Sequence, residues 1–233
     1  MKAAMKELIN KWICDFIADY EAQPEISTEW GEPAVGFADA RSPYIQNLPE
    51  LISSSHGLPQ DIMEEATIVI AYFVPFTRAL AKSNNNGGEY ASEQWANAYE
   101  QTNAMFGRLN SYIIDKLSEY GYMGAVHPAA GTFDHDNLIS DWSFRHFAYA
   151  AGLGTFGLNN MLITPKGCCG RYNTIVTNLD VSADKPMERE LCLYRANGSC
   201  GICMRNCPAG AISEDGYDRH RCYEILCKNA EIY

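Results

Sequence analysis

The 233-residue sequence is short of basic charge: 18 Lys and Arg stand against 29 Asp and Glu, for a formal net charge of -11. That balance opposes sequence-independent attraction to nucleic acid and to anionic membranes, and no local basic patch offsets it. Neither nucleic acid nor a membrane is therefore expected as a partner. Long apolar runs are missing as well. The N-terminal MKAAMKELINKWICDFIADYEAQPE spaces its apolar residues helically but breaks them with Lys6, Glu7, Lys11 and Asp15, so it reads as neither signal peptide nor membrane span. Internal repeats and low-complexity tracts are absent too. With 47% hydrophobic residues the chain has enough apolar surface for a sizeable core, and a cytoplasmic location is expected.

Cysteine is plentiful. Nine cysteines without a secretion signal point to thiolates that bind metal or do redox work, and away from disulfides. Cys14 stands alone, and Cys168 and Cys169 are adjacent in a turn, where buried or merely reducible thiols are the plainer reading. The other six, Cys192, Cys200, Cys203, Cys207, Cys222 and Cys227, crowd the C-terminal end.

Along the chain, helical and strand patterns alternate up to residue 185. A strand is expected around Ala34 to Ala38, then a loop and a brief helical turn. A β-branched run, Thr67 to Val74, reads as a strand buried on both faces. KSNNNGGEY reads as a polar loop. Apolar residues recur every three or four positions from Ser92 to Tyr120, which predicts a long helix ended by Gly121; its stripe of Trp95, Tyr99 and Phe106 reads as core. YMGAVHP predicts a short strand stopped by Pro128. After a polar loop holding Asp134, His135 and Asp136, DWSFRHFAYAAGLG reads as a second helix with Ser140 or Asp141 as N-cap. MLITP and YNTIVTNLDV read as a hairpin joined by Pro-Lys-Gly. DKPMERE is a polar boundary, dividing residues 1–185 from a cysteine-rich module at 186–233.

The cysteine spacing is C-x7-C-x2-C-x3-C-P from Cys192 to Pro208. Bacterial ferredoxins use C-x2-C-x2-C-x3-C-P, so the last three positions match and the first gap is stretched. Small residues at Gly201, Ala209 and Gly210 let backbone approach the sulfurs. One or two 4Fe-4S clusters are the first reading, with Cys222 and Cys227 as further ligands. Structural zinc is the alternative, although it favours two C-x2-C or Cys/His pairs, and His220 is the only nearby imidazole. Six thiols exceed the need of one cubane and fall two short of a pair, and KNAEIY carries no helix stop, so a longer natural chain is expected.

Gly152-Leu153-Gly154-Thr155-Phe156-Gly157 satisfies G-x-G-x-x-G, but it follows a helix and precedes a strand, the reverse of a dinucleotide-binding loop. It reads as a helix exit that brings backbone close to something flat or bulky. On the preceding helix, Asp141, Arg145 and Tyr149 fall four apart and share a face, with His146 beside Arg145. The plain reading is a surface ion pair with a half-buried tyrosine. The functional one is a pocket wall, with Tyr149 or His146 as proton donor and Arg145 holding an anionic substrate.

The order AYAAGLGTFGLNNMLITPKG, a strand, C-x2-C-x3-C-P followed by AGAI, and then RCYEIL resembles the epoxyqueuosine reductase and reductive dehalogenase superfamily. The resemblance runs from about Gly36 onward and is most specific between Ser140 and Ile212. It implies an α+β fold: a nitroreductase-like α/β sandwich, with cobalamin bound near Gly152, Gly154 and Gly157, and a ferredoxin-like module whose 4Fe-4S clusters feed it electrons from a ferredoxin or flavodoxin. Reductases acting on queuosine tRNA carry an aspartate shortly before a proline and a glutamate ahead of AGLG; this chain has SDWSFRHFAYAAGLG instead and lacks their second cysteine motif and tRNA-binding tail. The resemblance is thus to a small iron-sulfur branch that reduces a small organic molecule, with flavin as an alternative cofactor. The rival functions are a non-catalytic electron carrier or corrinoid-handling protein, and a zinc-stabilised interaction protein.

Overall fold

A computed structural model describes residues 2–86, 88–128 and 133–233. Helix α1 (Lys2–Glu21) leads to strand β1 (Ala34–Asp39), the short helices α2 (Pro43–Gln46), α3 (Leu48–Leu51) and α4 (Pro59–Ile62), strand β2 (Ile68–Pro75), and helices α5 (Arg78–Ser83) and α6 (Glu93–Glu119). Next come β3 (Gly124–Ala125), β4 (Phe133–Asp134), β5 (Ile139–Ser140), α7 (Phe144–Ala150), β6 (Thr155–Phe156), β7 (Leu162–Ile163) and β8 (Gly170–Thr177). The C-terminal stretch holds α8 (Leu193–Asn197), α9 (Ile202–Arg205), β9 (Ile212–Ser213), β10 (Gly216–Tyr217) and α10 (Arg219–Ile232).

Four strands form an antiparallel sheet in the order β1-β2-β8-β3. All eight residues of β2 are buried, because helices cover both faces of the sheet. Ile68, Ile70, Tyr72 and Val74 pack with α1 and α6, and the intervening Val69, Ala71 and Phe73 pack with α7 and the short helices. A two-residue side-chain period therefore feeds two cores. Polar groups in the first core are paired: the Trp30 indole donates to Thr102 Oγ1 at 2.8 Å, and the Tyr72 hydroxyl donates to Asn110 Oδ1 at 2.7 Å. Ser92 caps α6, and Gly121, at φ +80°, ends it with the paired bonds of a Schellman turn, from Tyr122 N to the Leu117 carbonyl and from Gly121 N to Ser118.

The sheet edge at β1 is covered by the strap that follows β8. Asp184 N donates to the Phe37 carbonyl at 2.7 Å, the Asp184 carboxylate accepts Phe37 N–H at 2.9 Å, and Lys6 Nζ meets the same carboxylate at 2.7 Å. Beyond that strap, Cys192 and Ala211 are the only buried hydrophobic side chains.

The α+β reading and most elements hold, with three differences. Strand β7 does not pair with β8; it pairs with β6, Thr155 opposite Ile163 and Phe156 opposite Leu162. The reason is competition, since β2 pairs with β8 along all eight of its residues. The Pro-Lys-Gly turn itself survives, closed by reciprocal bonds between Thr164 and Gly167. Secondly, α7 starts at Phe144 with Ser143 in the cap position, because Ile139 and Ser140 are drawn into the β4–β5 hairpin. Asp141 is thus not on the helix. Thirdly, the polar loop after α5 opens with a short 3-10 turn at Asn84–Asn86. Gly87 of that loop, and residues 129–132 of the loop after Pro128, lie outside the described residues.

Candidate functional site

Helix α7 carries the site's first wall. Ser143 Oγ lies 2.6 Å from His146 Nδ1, and burial, reinforced by the charge of Arg145, pulls the His146 pKa down to about 4. His146 is therefore a neutral imidazole at neutral pH, with Nε2 as the nitrogen left for a ligand. Arg145 donates through Nη1 to the Asn160 carbonyl and meets no carboxylate. Burial disfavours its charge first, and Arg219 adds like-charge repulsion.

Arg145 and His146 both line a cavity of about 650 Å³ at the open end of β8, with Trp142, Phe144, Met161 and Tyr172. The far wall comes from the cysteine-rich stretch: Tyr217, Arg219, Tyr223 and Leu226. Two of the four expected catalytic residues thus share the cavity, and two do not line it. Asp141 accepts a hydrogen bond from Ser55 Oγ at 2.6 Å, and Tyr149 packs between Tyr44 and Phe156, with ring centroids 5.0 and 5.9 Å away. The expected shared face of Asp141, Arg145 and Tyr149 fails because the helix begins after Asp141. In the preceding hairpin, the Asp134 carboxylate accepts the Asp136 and Asn137 amides, so turn chemistry accounts for it.

The glycine motif serves a different end from the one its pattern suggests. Gly152, at φ +74°, closes α7 in a Schellman turn, with Leu153 N donating to the Ala148 carbonyl and Gly152 N to Tyr149. A Cβ on Gly152 would collide with the Lys185 carbonyl, one on Gly154 with the Ile163 carbonyl, and one on Gly157 with the Ile163 side chain. The space that these glycines open is filled by the chain itself, which leaves no bare cradle for a flat macrocycle. Between them, buried Thr155 hydrogen-bonds the Glu190 carboxylate at 2.7 Å and accepts the Leu191 amide at 2.9 Å. Glu190 in turn accepts the Cys192 amide at 2.8 Å. The turn is a mount for the first cysteine.

In the cysteine-rich stretch, Cys192 is 7% exposed at the cap position of α8. Burial pushes the Cys203 thiol up, the Met204 amide pulls it back, and the charges of Cys192 and Cys200 push it further. The Ile202 and Gly201 amides lower Cys200, and the Ala211 amide donates to Cys207 Sγ at 3.4 Å. Gly201 and Gly210 adopt positive φ values of +115° and +57°, which brings these amides round. Amides aimed at sulfur and an all-thiol donor set suit an iron-sulfur cluster. Burial and the neighbouring Cys222 raise the Tyr217 hydroxyl, and Cys227 raises that of Tyr223, both tyrosines lying on the cavity wall. Among the described residues no three Cys, His, Asp or Glu side chains stand at metal-holding distance. The adjacent Cys168 and Cys169 thiols shift each other, Cys168 down and Cys169 up, and Asn159 Nδ2 donates to Cys168 Sγ at 3.8 Å.

Thr155, Glu190, Arg171, Arg219, Tyr217 and Tyr223 are absent from the sequence-level candidates. Tyr223 lies within the quoted RCYEIL and Arg219 two residues before it, which is the one signal pointing to them; Thr155 sits inside the motif whose glycines carry the pattern.

No family model matches the chain. Curated epoxyqueuosine reductases do: that of Bacillus anthracis is 25% identical over 176 residues, covering 72% of this chain and 42% of the relative. The one from Listeria monocytogenes serovar 1/2a is 28% identical over 171 residues, covering 72% and 39%. Among solved structures, a selenomethionine-labelled epoxyqueuosine reductase superposes with a TM-score of 0.61 at 16% identity, over 97% of this chain and 58% of its own. A reductive dehalogenase whose structure suggests a mechanism for B12-dependent dehalogenation gives 0.55 at 19%, over 82% and 26%. The resemblance to this superfamily holds. The chain spans less than half the length of the curated relatives it matches. Another epoxyqueuosine reductase, with a TM-score of 0.54 at 17% identity, was solved with an epoxyqueuosine-modified tRNA-Tyr stem loop. That finding runs against the expectation that nucleic acid is excluded as a partner. No described helix is long and apolar enough to cross a membrane.

Proposed function

We propose that the chain is an iron-sulfur reductase, built from a nitroreductase-like α/β region (residues 1–185) and a ferredoxin-like module (186–233), that works in the cytoplasm on a small organic substrate. The carrying observation is that helix α7 and the cysteine-rich stretch are opposite walls of one cavity. Cys192, Cys200, Cys203 and Cys207 hold a 4Fe-4S cluster in this reading, and Cys222 and Cys227 are ligands toward a second. When bound, such a cluster supplies electrons one at a time, from a ferredoxin or flavodoxin donor. The chain's own residues do the rest. Arg145, held by the Asn160 carbonyl, orients an anionic group, and neutral His146, tethered by Ser143, holds a proton next to it. The aromatic walls exclude water.

Likeness to the B12-dependent dehalogenase supports cobalamin as a second cofactor. The residues expected to cradle it, Gly152, Gly154 and Gly157, do not fit that task, since backbone and Ile163 occupy their free sides. The tRNA-bound neighbour supports an RNA substrate as a second reading, against which stands the net charge of -11.

Anaerobic purification tests the proposal. The expected protein is brown, carries about four iron atoms and matching sulfide per cluster, and loses its visible absorption on dithionite reduction. A colourless protein with stoichiometric zinc would end the redox reading.

A further inference from the structure

Among the described residues no acidic side chain lines the cavity, yet Arg145 and Arg219 both do; Arg171 of β8 also borders it but turns its guanidinium to Tyr99 of α6, on the other face of the sheet. None of the three takes part in an ion pair among the described residues. Each is held in place by something neutral. Arg145 donates to the Asn160 carbonyl, Arg219 Nη1 donates to the Asn137 carbonyl at 3.3 Å, and the Arg171 guanidinium lies 4.1 Å from the centroid of the Tyr99 ring, with a buried Nε that has no hydrogen-bond partner. Other cations in this chain find acids, as Lys6 finds Asp184 and Lys166 finds Glu32. Arg145 bears a solvation cost from burial and like-charge repulsion from Arg219, and an oxyanion between the two offsets both. Arg145 and Arg219 come from opposite walls, so one anion can engage both.

We infer that the cavity binds a small ligand through a carboxylate or phosphate group, gripped between Arg145 of α7 and Arg219 of α10. Apolar walls at Trp142, Phe144 and Met161 take the ligand's body. A volume of about 650 Å³ falls within the range of ordinary small-molecule sites, roughly 300–1,000 Å³. The inference rests on the cavity being the reductase's ligand site. It also adds a coupling, because an anion held from both walls ties the cysteine-rich stretch to the α/β region.

The experiment reads binding, with no turnover, so it is separable from the reductase reading. The full chain, prepared anaerobically, is titrated calorimetrically with inorganic phosphate, benzoate and the neutral analogue benzamide. Both anions are expected to bind and benzamide is not. Arg219→Gln, at an exposed position, and Arg145→Gln should each weaken anion binding on the order of 10-fold. Arg219→Lys should recover part of the loss. Arg41→Gln, at a surface arginine bonded to the Ala66 and Glu64 carbonyls, should change nothing. If Arg145→Gln does not fold, the Arg219 pair carries the test. Absence of binding to the wild type, equal binding of benzamide, or unchanged affinity in Arg219→Gln would overturn the inference. So would an RNA stem loop that binds through these arginines while phosphate and benzoate do not. A zinc-loaded, colourless chain that still binds anions through Arg219 would uphold the inference and sink the reductase reading alone.

Discussion

Residues 2–185 and 186–233 are held together by different physics. The first region buries Ile9, Ile13, Ile70, Tyr72, Leu109 and Ile113 completely, between a sheet and helices on both faces. The second has three helices without a buried residue and leaves Leu193, Ile202 and Leu226 more than half exposed. Apolar burial at about 25 cal/mol per Å² stabilises the first and contributes little to the second. The second stretch is anchored by Thr155 and Glu190 at one end and by Asn229 on Ala91 N at the other, and in the proposed reading thiolate–metal bonds supply the rest of its order.

The strongest way to break this contrast is Cys203→Ser. In the proposed reading, loss of the Cys203 thiol should abolish the bound iron and loosen the chain after residue 186, while the sheet stays folded. Iron analysis together with amide exchange of β2 and α10 checks both halves; full iron content in the variant would refute the cluster assignment. Ile70→Ala should do the reverse, lowering global stability by about 2–5 kcal/mol through a cavity between β2 and α6 while iron content holds. Denaturant melts with parallel iron assays would separate the two effects. Thr155→Val keeps the shape of that side chain but removes its bonds to Glu190 and Leu191, so a smaller loss of about 1–2 kcal/mol is expected, localised at the joint. Faster exchange at Leu191 and Cys192, with β2 unchanged, would show it.

A further expected effect is on pH. Burial lowers the pKa of His146 to about 4, and lowers His56 and His127 as well. The unfolded chain then binds more protons below about pH 6.5, so stability is fully present above that value and falls as the pH drops toward 4. The slope should reach at most about 1.4 kcal/mol per pH unit for each histidine. Urea midpoints at pH 7, 6 and 5 check the direction, and His146→Gln should flatten the curve. A midpoint that rises on acidification would contradict the burial argument.

Local chemistry explains which features were legible. The period of three to four apolar residues marked α6, the β-branched run marked β2, and Gly121 marked a helix end, because each is a property of neighbours in sequence. The cysteine spacing carried the metal reading in the same way. Competition between distant segments was not legible. Nothing in MLITP reveals that β2 holds β8 along all eight residues and that Thr155 and Phe156 are the partners of β7. The start of α7 is equally hidden, because Ile139 and Ser140 pair with Phe133 and Asp134.

The sequence by itself determined an acidic α+β chain, two buried faces on its central strand, a thiol-rich end and the likeness to epoxyqueuosine reductases and reductive dehalogenases. Only the tertiary structure decided that Arg145 and His146 face the cysteine-rich stretch while Asp141 and Tyr149 turn elsewhere, and that the glycine turn mounts Cys192. Spacing reports which residues share one element's face. Which faces meet across a cavity depends on packing among segments far apart in the chain, where Arg145 and Arg219 come together with no acid between them.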